Sequence, residues 1–285
     1  MKRGRRLIYN TIFITILTGC YTPRYVYSPI VQNVPVLLQK CDSKVAINLS
    51  SNLSTKTSGN DNKNRGYDLQ AAYAISNHLA AEVLFAHRTE KNSGDYNSGY
   101  YDSSTINYKR DIGELGLGYF HAYGMNKQYV FQIFCGLGLG KSSFTDEGRD
   151  RNNNPYNRFH RMSVTKLFIQ PAFMIRQKDF FAGALSSRMS LVYFHHILTD
   201  YTSGELDNYK LDSLNYRPRL FWEPAITNIF EFKKIPGLRL EFQIGMAFLV
   251  SKTFVDYRSF NFSFGIMTNL PKLLYHKKTL QKSTN

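Results

Sequence analysis

The stretch from Leu238 to Phe248 reads LRLEFQIGMAF and decides the fold. Every second residue in it is apolar, whereas Arg, Glu, Gln, Gly and Ala occupy the positions between. Successive side chains of a β-strand point to opposite faces, so this pattern predicts a strand with one apolar and one polar face. The same alternation returns in 260–266, 129–139 and 67–73. The sequence therefore predicts an all-β protein.

Ten alternating segments are joined by short and long connections in turn. The long connections 51–65, 89–111, 143–161 and 195–217 are rich in Ser, Asn, Asp, Gly and Lys. In an antiparallel series, this arrangement puts the long connections at one end and both chain termini at the other, as in outer-membrane barrels. The predicted strands cover 44–50, 66–75, 79–88, 112–123, 127–142, 162–176, 179–194, 218–232, 238–250 and 257–268.

The expected fold is an antiparallel up-and-down transmembrane β-barrel over residues 44–269. An even number of strands closes without a free edge, and a free edge is not tolerated in lipid. The predicted lengths also suit strands that cross the hydrocarbon with about nine to eleven tilted residues. Pro171 and Pro224 fall inside predicted strands, where each removes a ladder hydrogen bond. An eight-strand barrel therefore remains the alternative.

The polar faces of the predicted strands carry small residues and charges of both signs. Because buried ions need partners, a balanced set in a narrow lumen predicts a paired network that fills the barrel. An open ion pore would show one sign in excess. The predicted interior network consists of Lys44, Asp68, Glu82, Arg88, Glu114, Lys166, Arg188, Glu223, Arg239 and Glu241.

The first 23 residues read MKRGRRLIYNTIFITILTGCYTP. A basic start, a short apolar stretch and small residues before a cleavage point are typical of an export signal. The apolar part is shorter than the about 20 residues that a membrane-spanning helix needs. We therefore predict that residues 1–19 are a signal peptide rather than an anchor.

The tetrapeptide Leu17-Thr18-Gly19-Cys20 resembles a bacterial lipobox. The resemblance implies cleavage before Cys20, a diacylglycerol on its sulfur and acyl groups such as palmitate. Together with the predicted barrel, it resembles the outer-membrane β-barrel lipoproteins of Bacteroidetes-type, Gram-negative bacteria. Residues 20–43 would be a periplasmic Tyr/Pro-rich spacer, with the acyl chains in the inner leaflet, and 270–285 a basic tail. An ordinary secretory signal with an unrelated cysteine remains the alternative.

Composition agrees with an exported membrane protein. The net charge is +15, and an exported chain with this excess favours membrane lipid or lipopolysaccharide phosphate over nucleic acid as partner. The 20 Tyr and 21 Phe suit membrane-interface belts. Cys41 lies before the first predicted strand and Cys135 within the fifth, so we expect two separate thiols. Protein partners are not indicated by the sequence.

The best catalytic candidate is His195-His196 with Asp200, at the loop-side end of the seventh predicted strand. Neighbouring strand residues point to opposite faces, which is a poor metal-binding arrangement, and no nucleophile motif accompanies them. The sequence therefore favours a non-enzymatic protein with no catalytic residues, cofactor or metal.

The predicted function is a lipid-anchored outer-membrane barrel with a mostly filled polar lumen and a structural or surface-interaction role. Its long loops would be extracellular and its termini periplasmic. The alternatives are a narrow transport pore, a rim enzyme acting on lipid or peptide, and a soluble periplasmic lipocalin-like barrel whose apolar faces point inward.

Overall fold

The computed structural model describes residues 22–53, 64–93, 104–149, 154–177, 180–235, 237–271 and 273. The predicted signal peptide, Cys20 and most of the basic tail lie outside these residues. The strands are β1 (Ser43–Leu53), β2 (Asn64–Ala74), β3 (Leu79–Ser93), β4 (Thr105–Tyr123), β5 (Tyr129–Arg149), β6 (Pro155–Gln177), β7 (Phe181–Thr199), β8 (Arg219–Glu231), β9 (Leu238–Met246), β10 (Phe248–Leu249) and β11 (Phe260–Thr268).

The strands form one closed antiparallel meander. From β1 to β9 each strand pairs with the next along the chain, β9 also pairs with β11, and β11 closes the ring against β1, for example at Asn48↔Gly265. The two-residue β10 continues β9 beyond Ala247 and pairs with β8, so the eleven segments make ten barrel strands. The predicted ten-strand up-and-down barrel is confirmed, and the eight-strand alternative is wrong.

The barrel has two unlike ends. Short connections at 75–78, 124–128, 178–180 and 232–237 lie at one end, which we call the turn end. The opposite ends of the strands, together with the connections 200–218 and 250–259, lie at the other end, which we call the loop end. The α-helix Ser203–Asn208 begins with a capping box between Thr202 and Glu205 and belongs to the loop end.

The apolar faces point outward. In β9, Phe242 is exposed, whereas Arg239, Glu241 and Gln243 are buried. Exposed tyrosines border the outward apolar band, with Tyr73 toward the turn end and Tyr67 toward the loop end. An apolar exterior between aromatic girdles is the lipid-facing surface of outer-membrane barrels. The lipocalin-like alternative, which requires inward apolar faces, is wrong.

Both strand prolines fit the ladder without a register shift. Pro224 of β8 lies opposite Ser187 of β7. On the other side of β7, the pairing with β6 resumes at Ala172 in the same register after Pro171. The described register shift between β6 and β7 lies between Arg161 and Ser163, near the loop end.

No helix among the described residues is long and apolar enough to cross a membrane.

Candidate functional site

An extended segment of the chain runs through the interior of the barrel. We call residues 22–38 the lumen segment; 22–37 are buried throughout and form no regular strand. Near its start, Arg24 Nε donates to Asp146 Oδ2 at 3.0 Å, three residues before β5 ends at the loop end. Near its finish, Leu38 N–H donates to Asp42 Oδ2 at 2.8 Å, just before β1. The lumen segment thus descends from the loop end to the turn end.

This course differs from the predicted periplasmic spacer over residues 20–43 and from the expectation that both termini lie opposite the long loops. The described chain starts at the loop end and finishes, after β11, at the turn end. The physical reason lies in the contents of the segment, since its apolar and amide side chains find packing and hydrogen-bond partners only inside the barrel.

The lumen segment is the centre of the apolar core. Each of the four buried apolar clusters includes at least one of its residues. Tyr27, for example, stacks on Phe221 of β8 with ring centroids 4.1 Å apart. Small wall residues make room for large neighbours on the wall, because a Cβ on Gly136 of β5 would lie 2.5 Å from Cζ of Phe168 of β6. The wall and the segment therefore pack as one interior.

Wall side chains satisfy the backbone of the lumen segment. Gln243 Oε1 accepts from the Gln32 N–H at 2.7 Å, and its Nε2 donates to the Gln32 carbonyl at 2.9 Å. Gln170 Nε2 donates to the carbonyl of Asn33 at 2.8 Å. Buried backbone groups need such partners, and here amides replace a neighbouring strand. Three prolines, at positions 23, 29 and 35, bring no N–H into the interior.

All ten side chains of the predicted interior network are buried. Lys44 Nζ lies 2.6 Å from Glu241 Oε2, and Arg88 lies 2.9 Å from Asp68. Glu114 connects two bases, with Lys166 Nζ at 2.5 Å and Arg188 Nη1 at 3.1 Å. The structure therefore brings seven of the ten into ion pairs with one another.

The other three form no ion pair within this set. Arg239 pairs with Glu231 at the turn end, where Nε and Oε2 are 2.8 Å apart. Glu223 Oε1 accepts the hydroxyl of Tyr27 at 2.6 Å and so holds the lumen segment instead of a base. Glu82 Oε2 is buried with no hydrogen-bond partner among the described residues.

A second cluster of charges, which the sequence did not predict, lies toward the loop end. Glu90 Oε2 is 2.8 Å from Arg110 Nη1 and 3.1 Å from Arg258 Nε, and Ser28 of the lumen segment donates to its Oε1 at 2.8 Å. Glu90 and Arg110 were missed because they fall in a predicted loop, whereas Arg258 falls in the predicted strand 257–268. Continued strand pairing of β3 and β4 beyond the apolar band places Glu90 and Arg110 inside, as in Arg88↔Arg110.

The Arg24–Asp146 pair is enclosed by loop aromatics. The Tyr209 ring lies 3.6 Å from Cζ of Arg24, and the Tyr201 hydroxyl donates to Asp146 Oδ2 at 2.6 Å. Burial, and then the Asp146 carboxylate, raise the pKa of Tyr201, so its hydroxyl remains a proton donor. The start of the lumen segment is therefore held by both the wall and the connection between β7 and β8.

The His195, His196 and Asp200 candidate does not form a catalytic arrangement. The two rings lie together, with Nδ1 atoms 2.8 Å apart, because His196 has a positive φ of 50° beside the register shift. Asp200 Oδ1 instead accepts the backbone N–H of Phe159 at 2.6 Å. Within the described residues, no group of three or more His, Cys, Asp or Glu side chains is placed to hold a metal. Cys41 and Cys135 are free and exposed.

Comparisons with solved structures find outer-membrane proteins. OprG from Pseudomonas aeruginosa has 11% identity and a TM-score of 0.33, over 81% of this chain and 97% of that one. An outer membrane channel from Pseudomonas putida F1 has 8% identity and a TM-score of 0.37, over 84% and 99%. The NanC porin has 10% identity and a TM-score of 0.31, over 80% and 98%. No protein-family model and no curated protein sequence matches the chain.

The closed ring of ten antiparallel strands, the apolar exterior and the many polar and charged side chains inside define an outer-membrane β-barrel protein. Within that class, this chain carries its own amino-terminal segment inside the barrel.

Proposed function

We propose that the protein is a lipid-anchored outer-membrane barrel with a filled lumen and a structural or surface-interaction role. The observation that carries the proposal is the burial of the lumen segment among paired charges. Barrels of about eight strands have an interior that side chains alone can fill. A ten-strand barrel is wider, and here an additional chain segment takes up the space.

The proposed orientation puts the loop end outside the cell, as is usual for barrels whose long connections lie at one end. The strands support a display role, because several extend far beyond the apolar band. In β5, the last exposed apolar residue is Leu139, whereas the strand continues to Arg149. At about 3.4 Å per residue, this extension is roughly 30 Å along the strand.

The proposed lipid partners are acyl groups on Cys20, membrane lipid and lipopolysaccharide. The lipobox resemblance supports the acyl groups. Lys109, Lys141 and Arg161 support the lipopolysaccharide, because they are exposed on neighbouring strands just beyond the apolar band. Cations at this level lie where lipid phosphates are found. Mass spectrometry of the mature protein tests the anchor, with an acylated Cys20 as the expected first residue and Cys20→Ser as the matched control.

Conductance in planar bilayers tests the filled lumen. The wild-type protein should give no stable current steps, whereas a variant lacking residues 24–37 should conduct, with its folding checked by heat-modifiable gel mobility. A smaller variant, Tyr27→Ala with Gln32→Ala, should give brief openings if the full deletion does not fold. Steady conductance by the wild type would overturn the filled lumen and favour the narrow transport pore.

A further inference from the structure

We propose that the mature amino terminus leaves the barrel at the loop end, so that Cys20 and its acyl groups lie on the loop-end side of the membrane. This inference rests on the lipid anchor and the orientation proposed above, and it replaces the inner-leaflet placement expected from the sequence. It follows from the direction of the lumen segment, which is fixed by contacts at both of its ends.

The loop-end contacts hold the first described residues. Besides its pair with Asp146, Arg24 donates from Nη1 to the carbonyl of Thr22. The Tyr108 hydroxyl donates to the carbonyl of Pro23 at 2.9 Å and accepts the N–H of Tyr25 at 3.2 Å. Tyr108 lies near the loop-end start of β4, so the chain around Pro23 is at this end of the barrel.

The turn-end contacts hold the other end of the lumen segment. Lys127, in the short connection between β4 and β5, donates from Nζ to the carbonyl of Leu38 at 3.1 Å. The Lys40 N–H donates to Oδ1 of Asn77, in the connection between β2 and β3, at 3.0 Å. The segment can therefore not be reversed without breaking contacts at both ends.

Chain length then fixes the side on which Cys20 lies. An extended chain spans at most about 3.3–3.6 Å per residue, so Cys20 lies within roughly 7 Å of Thr22. To reach the turn end, the chain would have to cover the length of residues 22–37 a second time, roughly 50 Å. Two residues cannot do this, and the inner leaflet is out of reach while the lumen segment is in place.

The connection 250–259 offers a route from the interior to the lipid. It lies beside the lumen segment, because the Val26 N–H donates to the Asp256 carbonyl at 2.9 Å. Val250 and Phe254 on the same connection are exposed. Apolar side chains at this part of the rim would accompany an acyl chain that passes over it.

Epitope insertion tests the proposal in intact cells. A short epitope between Tyr21 and Thr22 reports the amino terminus. The same epitope after Gly204, which is exposed in the loop-end helix, reports the loop end, and one after Lys234 reports the turn end. Antibody binding is compared before and after permeabilisation, and heat-modifiable mobility shows that each insertion folds.

We expect the epitopes at Thr22 and Gly204 to bind antibody on intact cells and the one at Lys234 to bind only after permeabilisation. An epitope at Thr22 that behaves like the one at Lys234 would overturn the inference. If Gly204 is hidden and Lys234 accessible, the proposed orientation fails instead. In that case, the direction of the lumen segment is still supported only if the epitope at Thr22 shows the same accessibility as the one at Gly204.

A charge exchange provides a second test that needs no insertion. Arg24→Glu should lower the temperature at which the barrel loses its folded gel mobility, and adding Asp146→Arg should restore most of the loss. Rescue requires that Arg24 lie at the loop end of β5. An Arg24→Glu protein as heat-stable as the wild type would overturn the proposed course of the segment.

Discussion

The ion pair between Lys44 and Glu241 provides the sharpest test of a dry barrel interior. Nζ and Oε2 are 2.6 Å apart, and both side chains are fully buried. The pair joins β1 to β9 across the intervening β11. Removing one partner of a buried pair leaves an uncompensated charge, which costs about 3–5 kcal/mol. We expect Lys44→Met to lower the free energy of unfolding by that amount.

Removal of both charges should cost far less. Buried pairs replaced by apolar residues of similar volume are often neutral or stabilising. Lys44→Met with Glu241→Leu is therefore expected within about 1 kcal/mol of the wild type, well below the cost of Lys44→Met alone. Lys141→Met serves as the control, because this exposed lysine lies on the outer face of β5.

Urea unfolding in lipid vesicles measures these differences through Trp222, the only tryptophan of the chain. Its ring faces outward and stacks on Phe248 with centroids 5.3 Å apart, so its emission should shift when the wall comes apart. A Lys44→Met loss below about 1 kcal/mol, which is typical of solvated pairs, would show that water reaches the interior. The filled lumen would then be refuted.

Two further predictions concern the wall. Gly136→Val should lower the free energy of unfolding by at least about 1–3 kcal/mol through overpacking, because its Cβ would lie 2.5 Å from the Phe168 ring. The control is Gly183→Ala, where the nearest atoms to the new Cβ are 3.5 Å away, and this variant should be neutral in the same urea assay. Ile47→Arg, on the outward face near the middle of the apolar band, should make folding into the membrane less favourable by about 2–4 kcal/mol, whereas Thr145→Arg, beyond the band, should leave it unchanged. The folded fraction on gels measures both variants. Equal losses would contradict the assigned position of the band.

The positions of the strands could be predicted from the sequence where contact with lipid requires every second side chain to be apolar. The ends of the strands could not be predicted in this way. β3 continues to Ser93 and β5 to Arg149, whereas the sequence predicted ends at 88 and 142. Outside the membrane, both faces of a strand can be polar, as at Lys141 and Thr145 on the outer face of β5. The apolar period that marks a strand therefore ends before the strand does.

The alternation of apolar and polar residues along each strand predicts which charged side chains face the interior, but it does not predict which of them pair. Once a strand is phased, every second residue faces the interior, which places residues such as Lys44 and Glu241 there. Which of them meet depends on the register between strands and on what crosses the lumen. Lys44 pairs across β11, and Glu223 holds Tyr27 of the lumen segment, so neither contact can be read from alternation in one strand.

The lumen segment had a signal in the sequence that strand patterns do not capture. Between Arg24 and Lys40 there is no charged residue, and the stretch consists mainly of aromatic, aliphatic, proline and amide side chains. A solvated spacer of this length would be expected to carry charge, since segments without a packed core are rich in charged and polar residues. Exposing it would leave apolar surface in water, whereas inside the barrel its aromatic and aliphatic side chains complete the core and its amides meet Gln170 and Gln243. Absence of charge, rather than periodicity, is therefore the feature that marks a segment for the interior of a polar barrel.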